Sequence, residues 1–567
     1  MLRRVLWKNQ RKACVRRFCA ERTSGIRMKQ RLPENCLPPR EAAPEIILPS
    51  DLRYPTQLNV CQELLDRNLA AGRGPCPAIY HQRRTISYEE LISAVETLAA
   101  ALRDQGIVPG DRVLIRFWNQ PEFVIAWLAV LRVGGIVVAT MPLLRSREIG
   151  KILSDCQPSF LLTQEDLWQE VEPALPASPA TRIVFRGARK SGVMNWDELM
   201  AHPQNCPVSD TEAENLSLLA YTSGSTGEPK GTLHTHRDII AIADGYARHI
   251  LSPTPEDVFG GTPPLAFTFG VGGMLVFPFR FGGATSLLER FSPQALIDTV
   301  RETRITILFC SATTYNLLLK AELPGFAESC RSLRLCVSAG ETLPAAVFTA
   351  WKEKFGVEIL DGIGSTEMLH IFVSSRPGET KPGATGKPVP GYAAKIVDEE
   401  FREVARGTPG LLAVQGPTGC RYWNRPERQK EYVRNGWNLP GDMYVQDEDG
   451  YFLYQCRSDD LIISSGYNIA GPEVEAVLVE HPAVEECAVV ASPDATRGTI
   501  PKAFVVPRAG AKPGPELASE LQEFVKARLA PYKYPRAVEF VSALPKTETG
   551  KIRRVELRRR EQDAVPR

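Results

Sequence analysis

Short apolar runs alternate with amphipathic stretches along most of this chain, and that alternation constrains its fold more than any other feature. Residues 113–116, 183–185, 305–309, 333–337 and 357–360 read as strands, while 88–105 and 293–303 carry helical periodicity. Strands separated by helical crossovers predict an α/β architecture with largely parallel sheets. Beyond about residue 380, Gly and Pro become dense and the strands shorten (393–397, 411–414, 451–454), which predicts a β-rich subdomain. From residue 459 the pattern is α+β, with helices at 473–480 and 515–529 and strands at 484–490 and 502–506. The expected organisation is a lead-in over 1–49, a large multi-subdomain N-terminal domain over 50–458 (β-rich from about 380), and a small α+β C-terminal domain over 459–567.

The most apolar stretch, 123–141, approaches the length of a membrane span. Arg132 interrupts it, Gly134-Gly135 breaks it, and Pro121-Glu122 opens it like a helix start. Helix, turn and buried strand (Ile136-Val137-Val138) is the better reading, and no membrane span is predicted. Residues 1–31 hold eleven Lys/Arg and one acid, Glu21. This is transit-peptide composition, or the product of a start upstream of Met28. The first reading implies the mitochondrial matrix, the second the cytoplasm. The remaining 57 basic and 65 acidic residues give a net charge of −8, which offers no footprint for nucleic acid. Thirteen Cys without a C-x-x-C pair suit reduced thiols rather than a disulfide framework or zinc site.

The chemistry concentrates first at Tyr221-Thr222-Ser223-Gly224-Ser225-Thr226-Gly227-Glu228-Pro229-Lys230-Gly231, which follows a short apolar run. Small residues let backbone N–H groups approach a polyphosphate, hydroxyls add donors, and Lys230 adds a point charge. It is not the P-loop pattern, because Pro precedes the lysine and Gly follows it.

This segment resembles the signature of the adenylate-forming superfamily, which includes acyl-CoA synthetases, luciferases and adenylation domains. Further segments match in the same order: Ser338-Ala339-Gly340-Glu341, Asp361-Gly362-Ile363-Gly364-Ser365-Thr366-Glu367, Gly441-Asp442, Arg457-Ser458-Asp459-Asp460, Ser465-Gly466-Tyr467 and Pro545-Lys546-Thr547-Glu548-Thr549-Gly550-Lys551. The resemblance covers roughly residues 50–560. It implies two half-reactions. A carboxylate attacks the α-phosphate of ATP to give an acyl-adenylate and pyrophosphate, and coenzyme A then displaces AMP to give a thioester. The first step pushes an anion against a polyanion and needs fixed positive charge and aligned donors.

Carried over residue by residue, the resemblance implies that Thr222, Ser223, Gly224, Ser225, Thr226, Gly227 and Lys230 hold the β- and γ-phosphates and that Thr366 donates to the α-phosphate. Glu367 would hold Mg²⁺, although a carboxylate in such a turn also suits a helix cap. Gly340, Glu341, Asp361, Gly362 and Ile363 would flank the adenine, and Asp442 and Arg457 the ribose. Lys551 would bridge substrate carboxylate and α-phosphate. Asp459 would be the hinge on which the C-terminal domain turns to present Ser465, Gly466 and Tyr467 to the coenzyme A tunnel.

The acid partner is a small-molecule carboxylic acid, on a monomer or homodimer. The stretch Pro263-Pro264-Leu265-Ala266-Phe267-Thr268-Phe269-Gly270 lacks the Asp that would pair with an α-ammonium, which disfavours an α-amino acid. Phe267, Phe269, Gly270, Ala339, Ile363 and His370 are candidate acyl-pocket residues, with ordinary core packing as the alternative. Asp361 to Phe372 resembles the benzoate-CoA ligase branch, and Asp459 to Glu473 resembles 2-aminobenzoate-CoA ligases. A medium-chain fatty acyl-CoA synthetase, or a free-standing enzyme that loads a carrier protein, are the alternatives. A G-x-S-x-G hydrolase elbow and an H-E-x-x-H metalloprotease helix are both missing from the sequence.

Overall fold

The computed structural model describes residues 30–33, 36–175, 181–223, 229–321, 323–464, 467–494, 498–530, 532–546 and 550–563. Among them the strands form four sheets. One runs in the spatial order Lys387–Pro388, Ile371–Ser374, Ile359–Gly364, Leu335–Ala339, Ile307–Cys310, Val258–Gly261, Ala284–Ser286, Pro77–His81, Arg84–Ser87. Its centre is parallel and only its margins are antiparallel. A second runs Met194–Asn195, Arg182–Arg186, Phe160–Gln164, Arg112–Arg116, Ile136–Ala139, Leu216–Ser223, Pro229–Thr235, and ends in an antiparallel hairpin. One apolar core runs through both, joining Ile79, Phe309 and Val337 to Val113, Val137 and Phe160 by way of Leu98 and Trp127. Burial of such side chains contributes about 1.5–3 kcal/mol each.

Local chemistry accounts for the helices between them. Ser87 and Glu90 form a reciprocal capping box at the start of helix Tyr88–Asp104. Ser292 caps helix Pro293–Thr303, whose Leu296, Ile297 and Val300 face inward. The apolar stretch folds as helix Pro121–Arg132, a Gly-Gly turn and strand Ile136–Ala139. Arg132, only 3% exposed, donates to Asp66 at 2.9 Å and Glu96 at 2.7 Å, so its charge is paired inside the protein. No helix among the described residues is long and apolar enough to cross a membrane.

Three strands begin two residues later than the sequence predicts, at Ile307, Leu335 and Ile359. Arg304, with φ +54°, ends the preceding helix, and the Thr306 hydroxyl donates to Asp257, so the strand starts at Ile307 rather than at 305. Arg334 clamps the same carboxylate, delaying the next strand to Leu335.

The β-rich part is an antiparallel sheet in which Ala393–Val397, Trp437–Asn438 and Asp442–Gln446 pair with Gly410–Gln415. Phe452–Arg457 then pairs with Asp442–Gln446. The last sheet is built on the long hairpin Val484–Asp494 and Gly498–Pro507. It encloses its own core, including Ile462, Val474, Val489 and Leu521. The described part of the lead-in carries one short helical turn, Arg40–Ala42, and is pinned to the rest of the chain. Gln30 exchanges hydrogen bonds with the Leu216 backbone, Arg31 N donates to Pro109 O, Cys36 O accepts from Asn424 N, and Ala42 O accepts from Gln429. The described cysteines are free thiols, and most are buried.

Candidate active site

Seven elements converge on one cleft: β1 (Leu216–Ser223), β2 (Pro229–Thr235), β3 (Leu335–Ala339), β4 (Ile359–Gly364), α1 (Pro426–Tyr432), β5 (Asp442–Gln446) and β6 (Phe452–Arg457). The expected phosphate loop is the connection of the β1–β2 hairpin. Thr222 stands directly opposite Lys230, and Ser223 opposite Pro229. Gly224, Ser225, Thr226 and Gly227 lie outside the described residues. Burial is the main reason that the Lys230 ammonium pKa falls below its usual value, and neighbouring Arg428 adds to it.

β3 and β4 run parallel, with Ser338 beside Asp361 and Ala339 beside Gly362, so their carboxyl ends open on the same side. Gly340, at φ +90°, turns the chain away; a Cβ there would stand 3.9 Å from Lys551 Nζ. Glu341 accepts from the Thr313 amide at 2.5 Å. Asp361 is 5% exposed, and burial pushes its carboxyl up to about 8. Ile363 and Gly364 are half-buried at the strand's end.

The turn after β4 carries Thr366 and Glu367. The Thr366 carbonyl accepts from His234 Nε2 at 2.7 Å. His234 is fully buried, which lowers its pKa to about 4 and keeps the ring neutral. Ser365 Oγ, rather than Glu367, accepts the Met368 amide, and no helix follows, so Glu367 does not cap one. Its Oε1 instead accepts from the Tyr422 hydroxyl at 2.7 Å.

Asp442 and Arg457 face each other across β5 and β6. Arg457 Nη1 donates to Asp442 Oδ2 at 3.4 Å and to Pro440 O at 2.7 Å. Gly441, at φ +85°, gives Arg457 room, since a Cβ would lie 2.8 Å from its Nη2. Burial raises the Asp442 pKa against the opposing pull of Arg457 and Lys551. Asp459, just beyond β6, accepts from Arg457 Nε at 3.3 Å, while Arg558 from helix Arg554–Asp563 reaches both Asp459 and Asp460.

Lys551 follows Gly550 at φ +86°, in a turn closed by the Lys546–Ile552 bridge and the Arg553 N to Pro545 O bond. It keeps exposed surface, yet the neighbouring protein desolvates it enough to lower its pKa, a fall that Glu341 and Asp442 oppose. The C-terminal lysine and Gly340, Glu341, Asp442 and Arg457 thus share one space. Ser465 and Gly466 lie outside the described residues; the Tyr467 backbone pairs with Ser464.

Phe269 sits 5.5 Å from Phe309 and 5.9 Å from His370, ring to ring. His370, also against Tyr246 and Phe277, is buried and neutral, its pKa lowered to about 3. Phe267 is half-buried at the start of helix Thr268–Val271, and a Cβ on Gly270 would strike Pro264 O at 2.0 Å. Asn119 anchors this loop through Pro263 O and Leu265 N. Sequence reasoning missed His234, Tyr422 and Arg428. His234 and Tyr422 lie 132 and 55 residues from their partners on the Thr366–Glu367 turn, and no spacing signals them.

Residues 67–423 match the AMP-binding enzyme family and 473–551 the AMP-binding enzyme C-terminal domain. The chain is 37% identical over 517 residues to a benzoate–CoA ligase of Thauera aromatica, covering 90% of this chain and 97% of that one. It is 34% identical over 534 residues to the mitochondrial acyl-coenzyme A synthetase ACSM3 of Pongo abelii, covering 90% and 91%. The crystal structure of the anthranilate CoA ligase AuaEII with anthranoyl-AMP superposes with a TM-score of 0.84 at 34% identity, over 90% of this chain and 98% of that one. On sequence, fold and the convergence of its cleft, this chain belongs to the AMP-binding, adenylate-forming enzyme family.

Proposed function

We propose that this protein is an ATP-dependent, AMP-forming carboxylate–CoA ligase acting on an aromatic acid, benzoate or 2-aminobenzoate. One observation carries the reading: Lys551 enters the cleft between Gly340, Glu341 and Asp442. An ammonium there offsets the repulsion between an attacking carboxylate and the α-phosphate. Lys230 and the β1–β2 connection serve the β- and γ-phosphates. Asp442 accepts from the vicinal ribose hydroxyls, and Arg457 orients it. The carboxyl ends of β3 and β4, from Gly340 and Asp361, flank the adenine.

Among the described residues, no group of three or more His, Cys, Asp or Glu gathers to hold a metal. Glu367 offers one carboxylate whose Oε1 is already steadied by Tyr422. That donor set suits a Mg²⁺ held mainly by nucleotide phosphates and water, where the ion would neutralise charge. Asp459 is the hinge of the thioester-forming turn, which divides the chain into domains at 458–459. On the same reading the enzyme works in the cytoplasm, or in the mitochondrial matrix where residues 1–31 act as a transit peptide.

Phe269, Phe309 and His370 form an aromatic wall that fits a flat acyl group better than a flexible chain. A second reading is a medium-chain acyl-CoA synthetase with the same chemistry, with which the relative ACSM3, named an acyl-coenzyme A synthetase, is compatible. The deciding assay is CoA-dependent AMP formation from ATP across benzoate, 2-aminobenzoate, hexanoate and phenylalanine. Aromatic acids leading supports the first reading, and hexanoate leading supports the second. AMP formation with none of the four removes both acyl assignments.

A further inference from the structure

Arg428 is not among the residues that the family signature singles out. The backbone of residues 421–423 runs beside β2: Leu233 N donates to Arg421 O, Thr232 bridges Tyr422, and Trp423 N donates to Gly231 O. Lys230 is the next residue along β2, so α1, beginning three residues after Trp423, starts beside the phosphate hairpin. Gln429 fixes the helix. It is fully buried, accepts from Tyr422 N at 2.8 Å, and donates to Ala42 O and Cys420 O at 2.9 Å. Arg428 therefore projects from a rigid base.

Its guanidinium lies against the Tyr422 hydroxyl and pairs through Nη1 with Glu431 at 2.5 Å. Its Nε is shut off from solvent and has no hydrogen-bond partner among the described residues. Tyr422 in turn donates to Glu367. Arg428, Tyr422 and Glu367 form a continuous line from α1 to the turn at the end of β4. The charges that act on Lys230 from the packed elements are Arg428 and Arg457 against Glu367 and Glu431. Two cations beside the lysine raise the cost of its own charge, a conflict that a polyanion relieves. Glu431 is well exposed, and such surface pairs yield readily to a stronger acceptor. A planar guanidinium matches phosphate oxygens with two parallel donors, which Lys230 cannot do.

We propose that Arg428 is a second cation of the polyphosphate site, gripping the β- and γ-phosphates of ATP from the Tyr422 side and holding pyrophosphate as it leaves. The proposal rests on the ATP-dependent reading above. Its test separates the terminal phosphates from the rest of the nucleotide. The full-length protein, Arg428→Gln, Arg428→Lys and, as control, Lys430→Gln are titrated by calorimetry with ATP, pyrophosphate and AMP, and thermal unfolding checks folding. Arg428→Gln is expected to weaken ATP and pyrophosphate about 10–100-fold while leaving AMP unchanged, since hydrogen bonds to charged groups are lost. Arg428→Lys retains part of that affinity, and Lys430→Gln all of it. Equal weakening of AMP and ATP, or unchanged ATP affinity in a folded Arg428→Gln protein, overturns the proposal alone. A wild-type chain that binds neither nucleotide overturns the ligase reading beneath it.

Discussion

Replacing Lys551 by Ala separates the two half-reactions. The ammonium stands at the junction of Gly340, Glu341 and Asp442; on the proposed reading, an attacking carboxylate meets the α-phosphate there. A unit charge about 4 Å from a phosphate is worth about 4 kcal/mol at an effective dielectric near 20. Removing one preorganised donor from a transition state costs about 3–4 kcal/mol, or on the order of 10²–10³ in rate. The two figures agree, so acid-dependent ATP–pyrophosphate exchange should fall by about 10²–10³-fold. Thioester formation from synthetic acyl-adenylate and coenzyme A should change little, because no carboxylate attacks phosphorus in that step. The pH profile gives a further check. Burial lowers the Lys551 pKa, so the alkaline limb of adenylation should fall below the ordinary lysine value of about 10.4. Lys551→Arg, which stays protonated, should lack that limb. Equal losses in both half-reactions would refute the reasoning and make Lys551 a residue that merely docks the C-terminal domain.

Other outcomes follow from the same geometry. Tyr422→Phe removes the 2.7 Å donor to Glu367 and should raise the Mg²⁺ concentration for half-maximal adenylation about 5–10-fold; an unchanged Mg²⁺ curve refutes its role. Asp361 holds its proton to about pH 8 when folded but releases it near 3.9 when unfolded. Stability should therefore decline as pH rises from about 4 to 8. Asp361→Asn should flatten that decline in thermal unfolding, and parallel wild-type and variant curves would exclude it. Arg132→Met breaks the buried contacts to Asp66 and Glu96 and should cost about 3 kcal/mol in denaturant unfolding; an unshifted midpoint would mean that these contacts stabilise nothing.

Periodic and contiguous features of the structure were legible in the sequence. Helix Pro293–Thr303 matches its predicted bounds because Ser292, Pro293 and the inward residues sit within one short window. The same holds for the helix–turn–strand reading of the apolar stretch, where Gly134-Gly135 marks the break. Strand starts slipped where a distant partner decides them, as Asp257 does for Thr306 and Arg334. Asp442, Glu367 and Lys551 lie in compact motifs that mark them as candidates in the sequence, and the fold brings Asp442 and Lys551 together. His234, Tyr422 and Arg428 were not marked in this way. Sheet pairing brings each of them to its neighbours, and a lone His, Tyr or Arg in sequence carries no mark of what it meets.

The pinned lead-in has a consequence for the order in which the molecule is made. Ala42 waits for Gln429, which comes 387 residues later. At ribosomal speeds that interval is about 20–80 s. The second sheet can close once Thr235 has emerged, but the helix that carries Arg428 gains its anchor from a residue synthesised 387 positions earlier, and Lys551 arrives later still. On the proposed reading, the nucleotide seat is therefore complete only after Lys551 has emerged, well after the second sheet has closed.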